Sequence, residues 1–519
     1  MKPINIDDEF DSPVLNIALD TIKIGKQALI FVNTKKSAEK TAEEISKKLK
    51  IENEVLEALS EDALNSLSKP TKQCERLSYC LKKGIAFHHA GLVQKQKDII
   101  EENFRKGTIK IICSTPTLAL GVDLPAFRSI IKDLKRYTIH GLSWIPVLDY
   151  MQMSGRAGRP NYDNEGQSIA IAISNSEKEK IEERYINGIP EDIYSKLAVE
   201  PVLRTYVLSL IASNFTANKK ELIDFFDKTF YAHQFKDLRR LHSTISKVID
   251  MLDEWEFIIT SGDEDFASAN ELKEQKFKAT LIGKRVAELY IDPLTANFMI
   301  ICLRNASDKK LDAFSFLQMI SHTLEIRPML KVGLREHDKI QEAMLKFSDY
   351  ILEDEPSMYE PEYEEFLHSI KTALMFNSWV NEQDEEFLLE EYNIRPGELR
   401  AKLDIADWLL YATEEFSKIM HYQYLVKEIV KLRLRLKYGV KEELLPLVRL
   451  ENIGRVRARI LFRNRIKDMK DLKSADLSTL TQLIGEKVAL SVKRQLGQEK
   501  LEVPENKRKG QISLRDWEL

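Results

Sequence analysis

The sequence predicts a multidomain chain in which an α/β domain built on a parallel sheet is followed by mostly α-helical domains. Three observations predict it. The chain has 519 residues, more than the roughly 250–300 that one hydrophobic core organises. Its first 180 residues alternate short apolar runs with amphipathic helical periods, the pattern of a parallel sheet covered on both faces. After about residue 188 strand-like runs become rare and the 3.6-residue period dominates.

QALIFVN (27–33) reads as a buried strand, followed by a helix starting near Ser37 with Ala38, Ala42, Ile45 and Leu49 on one face. IAFHHAG (85–91) is a second strand ending in a turn, and the helix after it runs through Phe104 and stops at Gly107. IKIICS (109–114) and QSIAIAIS (167–174) are further strands. In such sheets functional loops gather at the carboxyl ends of the strands. Residues 200–290 read as helices, then the turn-rich SGDEDFASAN, then FKATLIGKRVAELYIDP, a pattern consistent with a small winged-helix unit. A long helical array follows over 290–425, and 444–497 contains two similar turns, LENIGRVRARIL and LTQLIGEKVALSV. The boundaries expected are 1–187, 188–289, 290–430 and 431–502, with a short polar tail over 503–519.

With 43% apolar and 31% charged residues, the composition is that of a soluble globular protein. No run approaches the roughly 20 apolar residues of a membrane span, and MKPINIDDEFDSP lacks the basic-then-apolar pattern of a secretory signal. Cys74, Cys80, Cys113 and Cys302 are scattered without CxxC spacing, which argues against a disulfide framework or zinc site and suits a reducing cytoplasm. The net charge of -4 hides a gradient: 340–410 is acidic, whereas from Lys427 onward about 23 Lys/Arg face about 13 Asp/Glu. That asymmetry fits a polyanion contact at the C-terminal end and equally a solvated basic surface.

Three clusters in the first domain carry chemistry. ICSTPTLALGVDLPA (112–126) places hydroxyls, Gly121 and Asp123 just after a strand. QMSGRAGRP (152–160) sets Gln152, Arg156 and Arg159 at the start or on one side of a helix, with glycines that let backbone approach a ligand and guanidinium forks that suit phosphate oxygens. FVNTKKSAE (31–39) is a strand leading into a polar loop. In this order and spacing the three resemble motifs V, VI and IV of superfamily 2 helicases, and AFHHAGL (86–92) matches the intervening motif. LGVDLPA with QMSGRAGRP is close to the Ski2-like branch.

The resemblance implies that residues 1–187 are the second RecA-like motor domain of a helicase that uses ATP. Arg156 and Arg159 would reach the ATP phosphates, Arg159 as an arginine finger, a device worth about 10³–10⁵ in rate. Gln152 would sit near the γ-phosphate or the attacking water. Gly121 and Asp123 would couple nucleotide to DNA. Asn33, His89, Gly91, Thr115 and Thr117 would lie along the nucleic-acid backbone; the plainer reading of His89 is a hydrogen-bonded histidine at a strand end. None of the nineteen glycines lies in GxxxxGK[ST], and no DExH follows a strand. Mg²⁺ ligands and the phosphate cradle are therefore expected on a first motor domain, supplied by a longer protein or a separate polypeptide.

Between motifs V and VI, two strand-like runs flank His140-Gly141 in IIKDLKRYTIHGLSWIPVLDY (130–150). In archaeal repair helicases of the Hjm family, relatives of the polymerase-theta helicase, a hairpin here wedges the duplex apart. That makes Tyr137, His140 and Trp144 candidates for base stacking, against the reading of an ordinary surface hairpin. TLIGKRVAELYIDPLTA (280–296) resembles the end of that family's winged helix, and ELRAKLDIADWLLYA (398–412) its ratchet helix. Trp408 matches the aromatic position. Arg400 is the nearby basic residue, although Ala401 is the residue seven before Trp408 and shares its face. A buried core tryptophan is the competing reading.

NIGRVRARI and LIGEKVALS resemble tandem helix-hairpin-helix elements, in which Gly454 and Gly485 expose N–H groups at helix N-termini, with Arg455, Arg457, Arg459 and Arg463 adding charge. The tail GQISLRDWEL spaces Gln511, Leu514 and Trp517 as in sliding-clamp-binding peptides, with Glu518 in place of the second aromatic. The expectation is the C-terminal portion of an ATP-dependent 3′→5′ DNA helicase acting on branched or forked DNA in replication-coupled repair, in the cytoplasm and with no membrane partner. The rivals are a Ski2-like RNA helicase and a non-catalytic single-stranded-DNA-binding protein.

Overall fold

The computed structural model describes residues 5–67, 69–119, 122, 124–138, 141–158, 163, 165–261 and 276–497. They form two compact units, Met1–Pro293 with Asp384–Asp404, and Leu294–Gln383 with Ile405–Leu519. Gly121, Asp123, His140, Arg159 and the tail residues Gln511, Leu514 and Trp517 lie outside the described residues.

The first unit is organised by a sheet of β1 (Ala28–Phe31), β2 (Ile85–His88), β3 (Ile111–Ser114), β4 (Arg128–Ile131) and β7 (Gln167–Ala170), in the order β2-β3-β1-β4-β7. Every pairing is parallel. Residues of β1 to β4 are buried on both faces, which is why these strands read as unbroken apolar runs rather than alternating ones. The helices α1 (Pro13–Lys23), α2 (Lys35–Ser46), α3 (Glu54–Leu64), α4 (Lys72–Leu81), α5 (Gln94–Arg105) and α6 (Val147–Ser154) accompany the sheet. One core cluster joins Leu29, Ile45, Leu77, Phe87, Phe104 and Met153.

Two helix boundaries differ from the sequence reading. α2 begins at Lys35 rather than near Ser37, because the Thr34 hydroxyl accepts the Ser37 N–H at 3.1 Å and caps the helix there. α6 ends at Ser154 with Gly155 as its C-cap, so Arg156 follows a helix instead of opening one. Within the sheet, Arg128 is buried, and its guanidinium bonds Asp20 at 2.5 Å and Gln167 at 2.8 Å. A single charge thereby ties β4 to α1 and β7, with its desolvation offset by these charge-assisted bonds.

The antiparallel pair β5 (Lys135–Thr138) and β6 (Gly141–Trp144) stands apart from the sheet, in the register Lys135↔Trp144 and Tyr137↔Leu142. The same unit continues with helices Glu200–Ala212 and Arg239–Glu254 and the antiparallel pair β8 (Ile258–Ser261) and β9 (Lys276–Ala279). The second unit is helical among its described residues, with long helices Glu362–Val380 and Gln423–Tyr438. A separate apolar cluster packs Val440, Leu447, Leu461, Leu480 and Val492. Among the described residues no helix is long and apolar enough to cross a membrane.

Candidate nucleic-acid interface

The carboxyl ends of β1, β2 and β3 open on a groove of about 620 Å³. Asn33 follows β1, Ala90 follows β2, and Thr115 and Thr117 follow β3; Lys35 and Lys36 enter from the start of α2, Arg136 from β5, and Arg395 from the 384–404 segment. Among the described residues, four basic ones and no acidic one line it. Such a surface attracts a polyanion, and its hydroxyls and amide add the hydrogen bonds that position a phosphate backbone.

The sequence-predicted residues divide on inspection. Thr115 and Thr117 both line the groove, their hydroxyls 2.9 Å apart, and Thr117 is exposed. Asn33 lines it too, but its backbone N–H donates to Asp133 at 3.1 Å and its side-chain amide to the Lys135 carbonyl, so this residue also fastens the root of the β5–β6 hairpin.

His89 and Gly91 do not take the places expected of them. His89 is fully buried and stacked on Phe87 with ring centroids 5.5 Å apart. Its Nδ1 accepts the Gly91 N–H at 3.1 Å, which puts the proton on Nε2, 3.2 Å from the Glu39 carboxylate. Burial lowers the His89 pKa, with Glu39 opposing. This is the hydrogen-bonded histidine at a strand end, with no face toward the groove. Gly91 is buried as well, and its carbonyl accepts the backbone N–H of Gly397 at 3.0 Å.

Glu39 is the residue that sequence reasoning missed. It is buried against Arg76, His89 and Arg395, with the Arg395 Nε 3.1 Å from Oε1. Burial alone would raise its pKa, but the His89 hydrogen bond and the charges of Arg395 and Arg76 outweigh it and hold the carboxyl down to about 2. Nothing in FVNTKKSAE marks this glutamate, because its arginines lie 37 and 356 positions away along the chain.

The motif VI turn packs on the motif V loop. Ala126 N–H donates to the Arg156 carbonyl at 2.9 Å and Gly158 N–H to the Ala126 carbonyl at 2.6 Å, while the Arg156 guanidinium donates to the Ala119 carbonyl. Arg156 therefore braces one motif against the other through one terminal nitrogen and its carbonyl. Gly158 has φ +94°, which requires glycine, and a Cβ on Gly166 would meet its backbone at 2.6 Å. Gln152 lies half-buried on α6.

The hairpin separates its aromatic residues. Tyr137 is 86% and Leu142 57% exposed, whereas Trp144 is half-buried, with Lys135 Nζ 4.4 Å from its ring centroid and Tyr185 6.1 Å away. Trp144 packs against the core at the root of the hairpin.

On the long helix Pro396–Ile419, Arg400 is exposed with Asp404 at 3.6 Å, and Trp408 is half-buried. Gly454 and Gly485 are N-caps of Arg455–Arg463 and Glu486–Gln495. Two of the first copy's four arginines are engaged within the unit: Arg459 pairs with Glu382 and Glu443, and Arg455 lies 4.6 Å over the Trp379 ring and donates to the Gln383 carbonyl. They dock this element on its own unit rather than standing ready for phosphates. Arg457 is exposed and donates to the Asn452 carbonyl at 2.9 Å. Among the described residues no group of three His, Cys, Asp or Glu could hold a metal ion.

A parallel sheet with a cationic groove at its strand ends, and a GRAG turn braced on the loop after β3, define the class: a helicase of superfamily 2. Comparison with known proteins carries this further. The family profile described as helicase conserved C-terminal domain matches residues 65–161, and that of archaeal helicase, domain 4 matches 314–439. The ATP-dependent DNA helicase Hel308 of Pyrococcus horikoshii is 37% identical over 505 residues, covering 96% of this chain and 67% of the relative. Its namesake from Methanococcus vannielii is 37% identical over 525 residues, covering 94% and 68%, and that of Caldivirga maquilingensis 35% over 515 residues, covering 93% and 65%. The chain belongs to the Hel308 family of archaeal ATP-dependent DNA helicases. It spans about two thirds of the length of these relatives.

Proposed function

We propose that this chain carries the second motor domain and the DNA-handling domains of a helicase that moves 3′→5′ and opens branched or forked DNA during replication-coupled repair. The observation that carries the reading is the groove at the ends of β1, β2 and β3, lined by four cations and three threonines and, among the described residues, by no carboxylate. One strand of DNA would run along it by its phosphates. The domain limits proposed are 1–187 for the motor domain, 188–289 for a winged helix, 290–430 for the ratchet bundle and 431–502 for the helix-hairpin-helix element. Trp408 and Arg400 would meet bases within the ratchet bundle, Tyr137 and His140 at the hairpin.

ATP hydrolysis would supply the free energy of stepping, with Gln152 and Arg159 nearest the γ-phosphate and Arg156, through its carbonyl and guanidinium contacts with Ala126 and Ala119, relaying its loss to the loop after β3. Gly121 and Asp123 of that loop would take part. Mg²⁺ would be held by a first motor domain. Gln511, Leu514 and Trp517 are a proposed sliding-clamp peptide.

The test is strand separation by this chain with the first motor domain of one of its relatives supplied in cis. Forked DNA bearing a 3′ single-stranded arm should be opened in the presence of ATP. Failure on that fork, or equal activity on an RNA duplex, defeats the reading.

A further inference from the structure

We propose that Arg395 is a phosphate-binding residue of the DNA track, presented to the groove by the buried carboxylate of Glu39. It is carried there by a segment, Asp384–Asp404, that lies far from the motor motifs in sequence. The inference rests on the groove being a nucleic-acid track.

The segment is seated firmly within the first unit. Asp384 bonds Lys69 at 2.5 Å, Glu386 accepts the Lys72 backbone N–H at 3.0 Å, and Glu390 and Glu398 pair with Lys72 and Lys35. The acidic run NEQDEEFLLEEY is thus not merely a solvated face, since several of its carboxylates match lysines of α4 and the loop before it. At the end of this run the backbones of Gly91 and Gly397 meet, leaving Arg395 beside the loop after β2.

Arg395 itself is held by one edge. Its backbone N–H donates to Glu398 and its Nε to Glu39, each at 3.1 Å. Its terminal nitrogens donate to no described residue, and the side chain lines the groove. A guanidinium fixed through Nε gives up little further rotamer freedom on meeting a phosphate, and it retains a two-pronged donor for the phosphate oxygens. His89 and two arginines surround Glu39 and favour its ionised form, so the anchor carries charge. Across the groove Arg136 presents a second guanidinium from β5, paired only at its outer edge with Asp149 at 3.2 Å.

The experiment measures binding of a fluorescein-labelled oligothymidylate by the full 519-residue chain across a series of KCl concentrations. Arg395→Gln should lower affinity and reduce the slope of log K against log[salt] by about 0.7, the single-strand increment for one lost phosphate contact. The double variant Glu39→Gln/Arg395→Gln, which leaves no orphaned carboxylate, should carry the same decrement even if the single variant folds poorly. Arg136→Gln should show its own comparable loss without touching the Glu39 cluster. If Lys36→Gln and Thr117→Val weaken binding while both Arg395 variants keep the wild-type slope, Arg395 is only a seat for the segment and the proposal is overturned. If none of these changes alters binding, the groove reading beneath it falls as well.

Discussion

Gly397 donates its backbone N–H to the carbonyl of Gly91 across 3.0 Å, and neither position has room for a side chain. A Cβ on Gly397 would meet the Ala90 carbonyl oxygen at 2.5 Å, and one on Gly91 the Arg395 Cβ at 3.0 Å. Both glycines have ordinary negative φ, so steric approach and not backbone conformation demands them. Pro396 opens the long helix, giving up an N–H that a first-turn residue has no partner for, and Gly397 uses the next one to fasten that helix end to the loop after β2.

Gly397→Ala should destabilise the first unit. Alanine favours a helix over glycine by about 0.8–1 kcal/mol, but the obstructing atoms are backbone and overpacking of this kind costs about 1–3 kcal/mol. The clash wins, for a net loss of about 1 kcal/mol in urea unfolding. Gly91→Ala would press on the Arg395 side chain, which Glu39 holds through Nε, and should also destabilise the unit. A Gly397→Ala protein as stable as the parent would show that the close approach does not persist in solution.

How much of this could be read from residue order follows from the range of each interaction. β1, β2 and β3 were legible because burial on both faces leaves unbroken apolar runs. The groove hydroxyls Thr115 and Thr117 were legible because they follow a strand directly. His89 looked like a ligand-facing residue because strand-end position is local, whereas its true partner, Glu39, is brought to it by packing α2 on β2. Arg455 and Arg459 read as a phosphate patch because their counterparts, Trp379 and Glu382, lie more than seventy positions earlier. Charge runs announce that a partner exists, and only the fold shows that the partner is the protein itself.

Glu39 should give the protein an acid-sensitive step. Its carboxyl titrates at about 2 when folded against an ordinary value of 4.5. A depressed acid contributes stability that is fully present above the unfolded value and is lost as pH falls through the folded one. The contribution is on the order of 3 kcal/mol at neutral pH. Glu39→Gln should therefore be less stable than the parent at pH 7, and the gap should close between pH 4.5 and 2. A gap that stays constant over that range, followed by chemical denaturation, would remove Glu39 as the source.

In the second unit, Arg459 bridges Glu382 and Glu443, and both Arg459 and Glu382 are mostly buried. Arg459→Ala strands the Glu382 carboxylate, and a loss of about 1–3 kcal/mol is expected for an unsatisfied charge of partial exposure. Glu382→Ala should cost a similar amount, and the double variant less than the sum of the two. The coupling energy from the cycle, about 0.5–3 kcal/mol, is the measurement. Strict additivity would mean that the pair contributes nothing to docking the Arg455–Arg463 helix.

The hairpin offers a contrast between two aromatics that share one face. Tyr137 is 86% exposed at the tip beside exposed Leu142, while Trp144 at the root is covered by Lys135 and Tyr185. If the tip meets the fork, Tyr137→Ala removes a stacking platform worth about 1–3 kcal/mol per base and slows strand separation by the motor-complemented chain. Its thermal melting should not move, because a tyrosine that touches solvent in the free protein loses no packing. Trp144→Ala should do the opposite first, lowering the melting temperature through loss of buried aromatic area, and slow unwinding only as a consequence of a loosened hairpin. The two variants thus separate a surface that acts on DNA from one that holds the hairpin in place. Equal unwinding by Tyr137→Ala and the parent would leave the hairpin tip without a role at the fork.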